Sequence, residues 1–294
     1  MASLKDLRNR IASVKSTKKI TSAMKMVAAA KLKKAQEKAV SARPYAEKMN
    51  KIISSITENI KSELPTPSLI SGTKGNNTVL LIVCSADRGL CGGFNGSIIR
   101  QTKKMVSEIK GSGKKVKFIF VGKKAYNGLK SLFSDEIIKV FSDIANPIVE
   151  FNIASEIRNY LVKTFKDKQF DVCHLIYTKF NSAINQEVIK NQLIPLNSKT
   201  PNEDNTNHTE HVYEFEPNEE EILNQIVPQN LAVQIFTGLL ESSASEHGAR
   251  MTAMDNATRN ANDMIDGLTL FYNRSRQAVI TKELIEIISG AEAI

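Results

Sequence analysis

LKDLRNRIASVKSTKKITSAMKMVAAAKLKKAQEKAVSA, Leu4–Ala42, decides the architecture. Residues 1–71 contain no glycine, and the first proline is Pro44. The stretch is built from Ala, Lys, Met, Gln, Glu and Leu, the residues that lose least on becoming helical. A helix of 55 residues runs roughly 80 Å, more than twice the width of a compact domain. Leu4, Leu7, Ile11 and Val14 are spaced three, four and three apart, a coiled-coil seam. The apolar set resumes out of phase at Ile20, Met24 and Val27, which predicts an interrupted rather than a strict heptad. Ala28, Ala29 and Ala30 form a thin stretch that another helix or a surrounding wall can approach. Ser3 and Asp6 read as a capping pair. Pro44 is expected to kink or divide the arm, and Leu64-Pro65-Thr66-Pro67 ends it.

The far end of the chain has the same character. Residues 229–294 contain no proline. Pro217 followed by Glu219–Glu221 suits a helix start, Pro228 is a point of potential breakage, and Gly290 suits a stop. Ile280, Leu284 and Ile287 repeat the three–four spacing, so residues 5–40 and 250–285 are expected to pair as antiparallel helices. The chain then divides into a helical arm at 1–62, an α/β unit at 75–196, a polar and acidic loop at 197–216 and a second helical arm at 217–294.

Between the arms the pattern changes. Thr78–Ser85 (TVLLIVCS), Lys117–Gly122 (KFIFVG) and Val172–Phe180 (VCHLIYTKF) are continuous apolar runs, as expected of strands buried on both faces. Ile137–Phe141 and Glu187–Leu196 are further strands, with helices near 95–110, 123–133 and 148–168. This alternation predicts an open, mostly parallel, Rossmann-like α/β sheet. The fold class is α/β, with a long antiparallel coiled coil of the terminal helices attached.

Charge is unevenly placed. Residues 1–51 hold 14 Lys/Arg and 3 Asp/Glu, while the whole chain is only +9, so the first arm carries the basic excess. An acidic partner is the functional reading, and a solvated lysine face is the plain one. Residues 203–221 hold eight Asp/Glu and no Lys/Arg, which reads as solvated loop. No run of 18 uncharged apolar residues exists, so no transmembrane helix is expected. The start MASLKDLRNR resembles neither a secretory signal nor a transit peptide. Cys84, Cys91 and Cys173 lack metal-ligand spacing and look like reduced thiols.

Catalytic signals are weak. Gly89, Gly92, Gly93 and Gly96 in SADRGLCGGFNG follow a strand and precede a helix, where a phosphate loop would lie. The pattern is neither GxGxxG nor GxxxxGK[ST], and the second strand ends in Val121-Gly122-Lys123 rather than in an acid. A tight turn with close helix–strand packing is the favoured reading. Cys91 has no base beside it in sequence and reads as a small packing residue. His208 and His211 make a weak metal signal, and His174 reads as structural. No catalytic residue, cofactor or metal is expected. A nucleic-acid-binding protein would need aromatic or Arg-rich surfaces, whereas the first arm has no aromatic residue before Tyr45.

Three blocks resemble the gamma subunit family of the F-type ATP synthase. IASVKSTKKITSAMKMVAAAKLKKAQ (Ile11–Gln36) is similar to its first coiled-coil helix, and SADRGLCGGFN (Ser85–Asn95) to its central signature. Ile280, Thr281, Glu283, Glu286, Gly290 and Ala291, within YNRSRQAVITKELIEIISGA (Tyr272–Ala291), match its C-terminal signature. The resemblance implies a non-catalytic rotor shaft. Its coiled coil turns inside a ring of alpha and beta subunits, and its α/β foot binds the epsilon subunit and the c-subunit ring. It implies coupling contacts with beta at Met24, Lys25, Arg276, Gln277, Thr281 and Glu283, and foot contacts with epsilon and c at Tyr213, Glu214 and Phe215. Lys25 and Lys31–Lys34 are expected to face an acidic lever of beta. The implied location is peripheral, on the cytoplasmic side of a bacterial inner membrane.

Overall fold

The computed structural model describes residues 3–59, 68–73, 75, 77–144, 148–196 and 219–292. The first arm is one helix, α1 (Leu4–Asn59). The second is α6 (Glu219–Glu292), 74 residues long. Ser3 and Asp6 cap α1 reciprocally: Asp6 N donates to Ser3 Oγ at 3.1 Å, and Ser3 N to Asp6 Oδ2 at 3.3 Å. Neither proline divides its helix. Pro44 lies on the exposed face, so the carbonyl that loses its helical donor there can bond water.

The foot is a five-stranded sheet. Its strands are β1 (Thr78–Cys84), β2 (Lys115–Val121), β3 (Ile137–Phe141), β4 (Val172–Phe180) and β5 (Gln186–Ile194). The order is β3-β2-β1-β4-β5, with the first four parallel and β5 antiparallel on β4. A short helix, α2 (Ser68–Ser71), precedes β1, while α3 (Phe94–Gly111), α4 (Lys123–Leu129) and α5 (Phe151–Lys166) connect the parallel strands. Alternate residues of β1 separate the two faces. Val79, Leu81 and Val83 pack with Phe118 and Phe120 under α3 and α4. Leu80, Ile82 and Cys84 pack with Ile157 and Leu161 of α5 and Leu231, Ile235 and Leu239 of α6.

That second face explains how shaft and foot are joined. The first half of α6 serves as a layer of the foot, and the rest continues outward. Two glycines let it lie close to β4. A Cβ on Gly238 would stand 2.6 Å from Leu175 Cδ2, and one on Gly248 would stand 3.0 Å from the Phe180 ring.

The shaft itself corrects the sequence reading. The least exposed residues of α1 run Leu4, Leu7, Ile11, Val14, Lys18, Thr21, Lys25, Ala28, Leu32 and Ala35, and continue in step to Ile53. This is an unbroken three–four heptad. Ile20, Met26 and Val27 are turned outward, at 57%, 65% and 58% exposure. The phase never shifts; polar residues hold the seam where apolar ones were sought.

Candidate functional site

Two regions carry features beyond packing: the joint where α6 meets the carboxyl ends of the strands, and the surface of the shaft.

At the joint, the loop Ser85–Asn95 is held from several sides. Ala86 N donates to Asn95 Oδ1 at 3.1 Å, and Asn95 Nδ2 donates to Cys91 Sγ at 3.1 Å. Asp87 ties the neighbouring loops together by accepting from Lys123 N at 3.1 Å and Asp143 N at 2.9 Å. Arg250 of α6 donates to Gly89 O at 3.2 Å and to Glu246 Oε1 at 2.7 Å. Gly92 has φ +56°, a left-handed conformation suited to glycine, and its missing Cβ would lie 3.7 Å from Ala253 Cβ. The glycine loop is therefore a socket for α6. Sequence reasoning placed the turn and its tight packing, but no local signal marks a helix some 160 residues later as the element packed there.

In open α/β sheets ligands bind at the carboxyl ends, where strand order reverses. Here α6 covers the carboxyl ends: Ser245 Oγ donates to Thr178 O of β4, and beside β1 and β2 Leu239, Ser242 and Glu246 with Cys84, Ser85 and Val121 leave a cavity of about 20 Å³. Ligand pockets span roughly 300–1,000 Å³. Beside it, Lys31, Asp87, Arg88, Asp143, Glu246, His247 and Arg250 line a charged cleft of about 120 Å³. Burial raises the Glu246 carboxyl, against the pull of Arg250. His247 is lowered to about 4 by burial, Arg250 and Lys31. Cys84 is raised to about 12 by burial alone, and Cys91 is raised mainly by burial, so neither is an activated thiol. Among the described residues no cluster of His, Cys, Asp and Glu could hold a metal.

Along the shaft, polar cross-contacts fix the antiparallel register, among them Arg43 with Glu241 at 3.8 Å near the foot. Arg8 Nη2 donates to Tyr272 Oη at 3.0 Å, Thr21 and Thr258 share a hydroxyl bond of 2.8 Å, and Lys25 Nζ stands 2.6 Å from Asp255 Oδ1. Beyond Tyr272, α6 passes the start of α1 and, among the described residues, continues alone. Arg276, Gln277, Thr281 and Glu283 all lie exposed on this solitary tip. Ile280, Leu284 and Ile287, expected at the two-helix seam, are 48%, 53% and 68% exposed, because α1 does not reach them.

Met24 is half-buried beside the seam. Lys25 is committed to Asp255, which also bonds Arg259. These two bonds, Lys25 first, hold the Asp255 carboxyl below the usual carboxylate range. Tyr213, Glu214 and Phe215 lie outside the described residues. The cross-shaft pair Lys25–Asp255 and the joint residue Arg250 were missed in the sequence, since partners this distant leave no local pattern.

This architecture, an α/β foot threaded by one of two long paired helices, has clear relatives. The sequence profile of the ATP synthase family matches residues 3–294. The ATP synthase gamma chain of Rhodospirillum rubrum is 51% identical over 299 residues, covering 100% of both chains. That of Pelagibacter ubique is 50% identical, again covering 100% of both. Among solved structures, a chain of the Tetrahymena thermophila mitochondrial ATP synthase central stalk and c-ring shares 29% identity, with a TM-score of 0.59 over 81% of this chain and 99% of that one. A chain of the Euglena gracilis mitochondrial OSCP/F1/c-ring assembly has a TM-score of 0.69 at 18% identity, over 99% of this chain and 94% of that one, a likeness of fold. The chain belongs to the ATP synthase gamma chain family.

Proposed function

We propose that this chain is the central rotor shaft of an ATP synthase, coupling ion flow through the membrane sector to ATP synthesis on the beta subunits without doing chemistry itself. The carrying observation is the solitary tip of α6, a single helix whose six large apolar residues between Val279 and Ile288 are 40–68% exposed. Surface of this kind on an isolated helix calls for a surrounding protein wall. Its partners are the alpha and beta subunits around the shaft, and the epsilon subunit and c-ring at the foot. No described helix is long and apolar enough to cross a membrane, so attachment is peripheral, through the complex. We place it on the cytoplasmic side of a bacterial inner membrane, as its bacterial relatives suggest.

One asymmetric shaft cannot present the same face to three equal neighbours. Each beta subunit meets a different surface, and rotation exchanges those surfaces, biasing each site's conformational equilibrium in turn. Arg276 and Gln277 are the proposed catch on beta, since a guanidinium fork can hold a carboxylate bidentately. Thr281 and Glu283 lie one to two turns further along the tip. Met24 contributes at the shaft surface, whereas Lys25 acts through its bond to Asp255. Tyr213, Glu214 and Phe215 are proposed to meet epsilon and the c-ring. The test is co-purification: the tagged chain should bring down alpha and beta subunits together with ATPase activity. Isolation of the chain free of both overturns the reading.

A further inference from the structure

The seam of the shaft carries a polar stretch on α1 at Lys18, Thr21 and Lys25. Thr21 bonds Thr258 at 2.8 Å, and one turn on Lys25 meets Asp255 at 2.6 Å, with Arg259 on the second carboxylate oxygen. Lys25 occupies a seam position of the heptad and not a flank, and only 45% of its side chain is exposed. Further along, the α1 side of the seam is mostly small, with Ala28, Ala35, Ala39, Ala42 and Ala46. Alanines interdigitate shallowly and resist sliding poorly. A polar residue in a seam lowers stability but fixes register, because a slipped pairing leaves it without its partner. In this antiparallel pair a slip of one turn brings Lys25 level with Met251 in one direction and with Arg259 in the other, an apolar side chain or a like charge.

We propose that Lys25, Asp255 and the Thr21–Thr258 bond form the register pin of the shaft, with Asp255 as its positioning residue. Resting on the rotor reading, the pin keeps the two helices from sliding past each other under load. It then matters more for ATP synthesis, when the shaft is driven, than for unloaded hydrolysis.

Register can be read directly. In the assembled complex, a Thr21→Cys/Thr258→Cys pair should oxidise readily to a disulfide, the native cysteines being buried in the foot. Adding Asp255→Ala should slow oxidation tenfold or more, while Asp255→Glu should stay within about twofold of the parent rate, as expected when a charge-assisted bond is lost or kept. Lys25→Met should raise the melting temperature yet still slow oxidation, a divergence that a merely stabilising ion pair would not give. Asp255→Ala in the otherwise native chain should depress gradient-driven synthesis at least threefold more than hydrolysis. Unchanged oxidation in both Asp255→Ala and Lys25→Met overturns the pin. Slowed oxidation with an unchanged ratio of synthesis to hydrolysis upholds the pin and overturns its role under load. Failure of the native chain to join alpha and beta subunits would instead count against the rotor reading.

Discussion

The two halves of α6 obey opposite rules. From Leu223 to Ala249 the helix is a layer of the foot, and Val227, Leu231 and Ile235 have no exposed surface. From Arg276 to Ala291 every residue is exposed. No proline lies between the two halves and both carry apolar residues at helical spacing. The foot half is finished within this chain. The tip half is unfinished, and its apolar residues have meaning only against another protein. Stability should therefore reside in the foot and function at the tip, and substitutions can separate the two.

The largest expected effect is in the foot. Phe120, fully buried and stacked at 5.5 Å on Phe118, should cost about 3–5 kcal/mol on replacement by Ala, read by denaturant unfolding of the purified chain. A loss below about 1 kcal/mol would break the contrast.

Acidification should also act on the foot and its joint. His174 is lowered to about 4 by burial, Lys190 and Lys114, and His247 to a similar value. Both are held neutral when folded but protonate near 6.5 when unfolded. The unfolded chain thus binds more protons between those values, and stability falls as pH drops from about 6.5 toward 4. Between pH 7 and 5 the loss should reach up to about 2 kcal/mol per histidine. His174→Gln should flatten the slope in pH-dependent unfolding; an unaltered slope would remove His174 from the account.

At the tip, Arg276→Ala should leave unfolding of the isolated chain unchanged yet lower ATP synthesis about tenfold, the loss of one charge-assisted hydrogen bond. Wild-type synthesis and hydrolysis would reduce Arg276 to a solvated charge. The smallest effect is the sharpest contrast with Phe120: Leu284→Ala should shift the stability of the isolated chain by no more than about 0.5 kcal/mol. A larger loss would mean the tip packs on its own chain.

What the sequence disclosed follows the same division. Strands buried on both faces announce themselves as continuous apolar runs, and TVLLIVC and VCHLIYTKF read directly as β1 and β4. The paired arms were legible from composition. The seam was legible at its start, Leu4 to Val14, but not beyond, because the usual rule of apolar inside and polar outside is inverted around residues 18–27. Ile20 and Val27 face outward there, while Thr21 and Lys25 face the partner helix. Ile280, Leu284 and Ile287 misled for a related reason: three–four spacing says that a face will be covered, not by which chain. The joint left no local signal: the need for Gly238 and Gly248 shows only once β4 lies against them.

The register of the shaft also dictates an order of assembly during synthesis of the chain. Thr21 and Thr258 are 237 residues apart in sequence, so α1 emerges first and its partner last. Contacts this distant carry a large loop-closure cost and form slowly. The parallel sheet, whose strand pairs are far closer in sequence, can be complete before α6 exists. By anchoring the first half of α6 it then holds the rest of that helix beside α1. The foot is thus a template that converts the meeting of two distant chain ends into a local zippering event. Until then α1 stands alone with its surplus of positive charge, the segment of the nascent chain most in need of a holding partner.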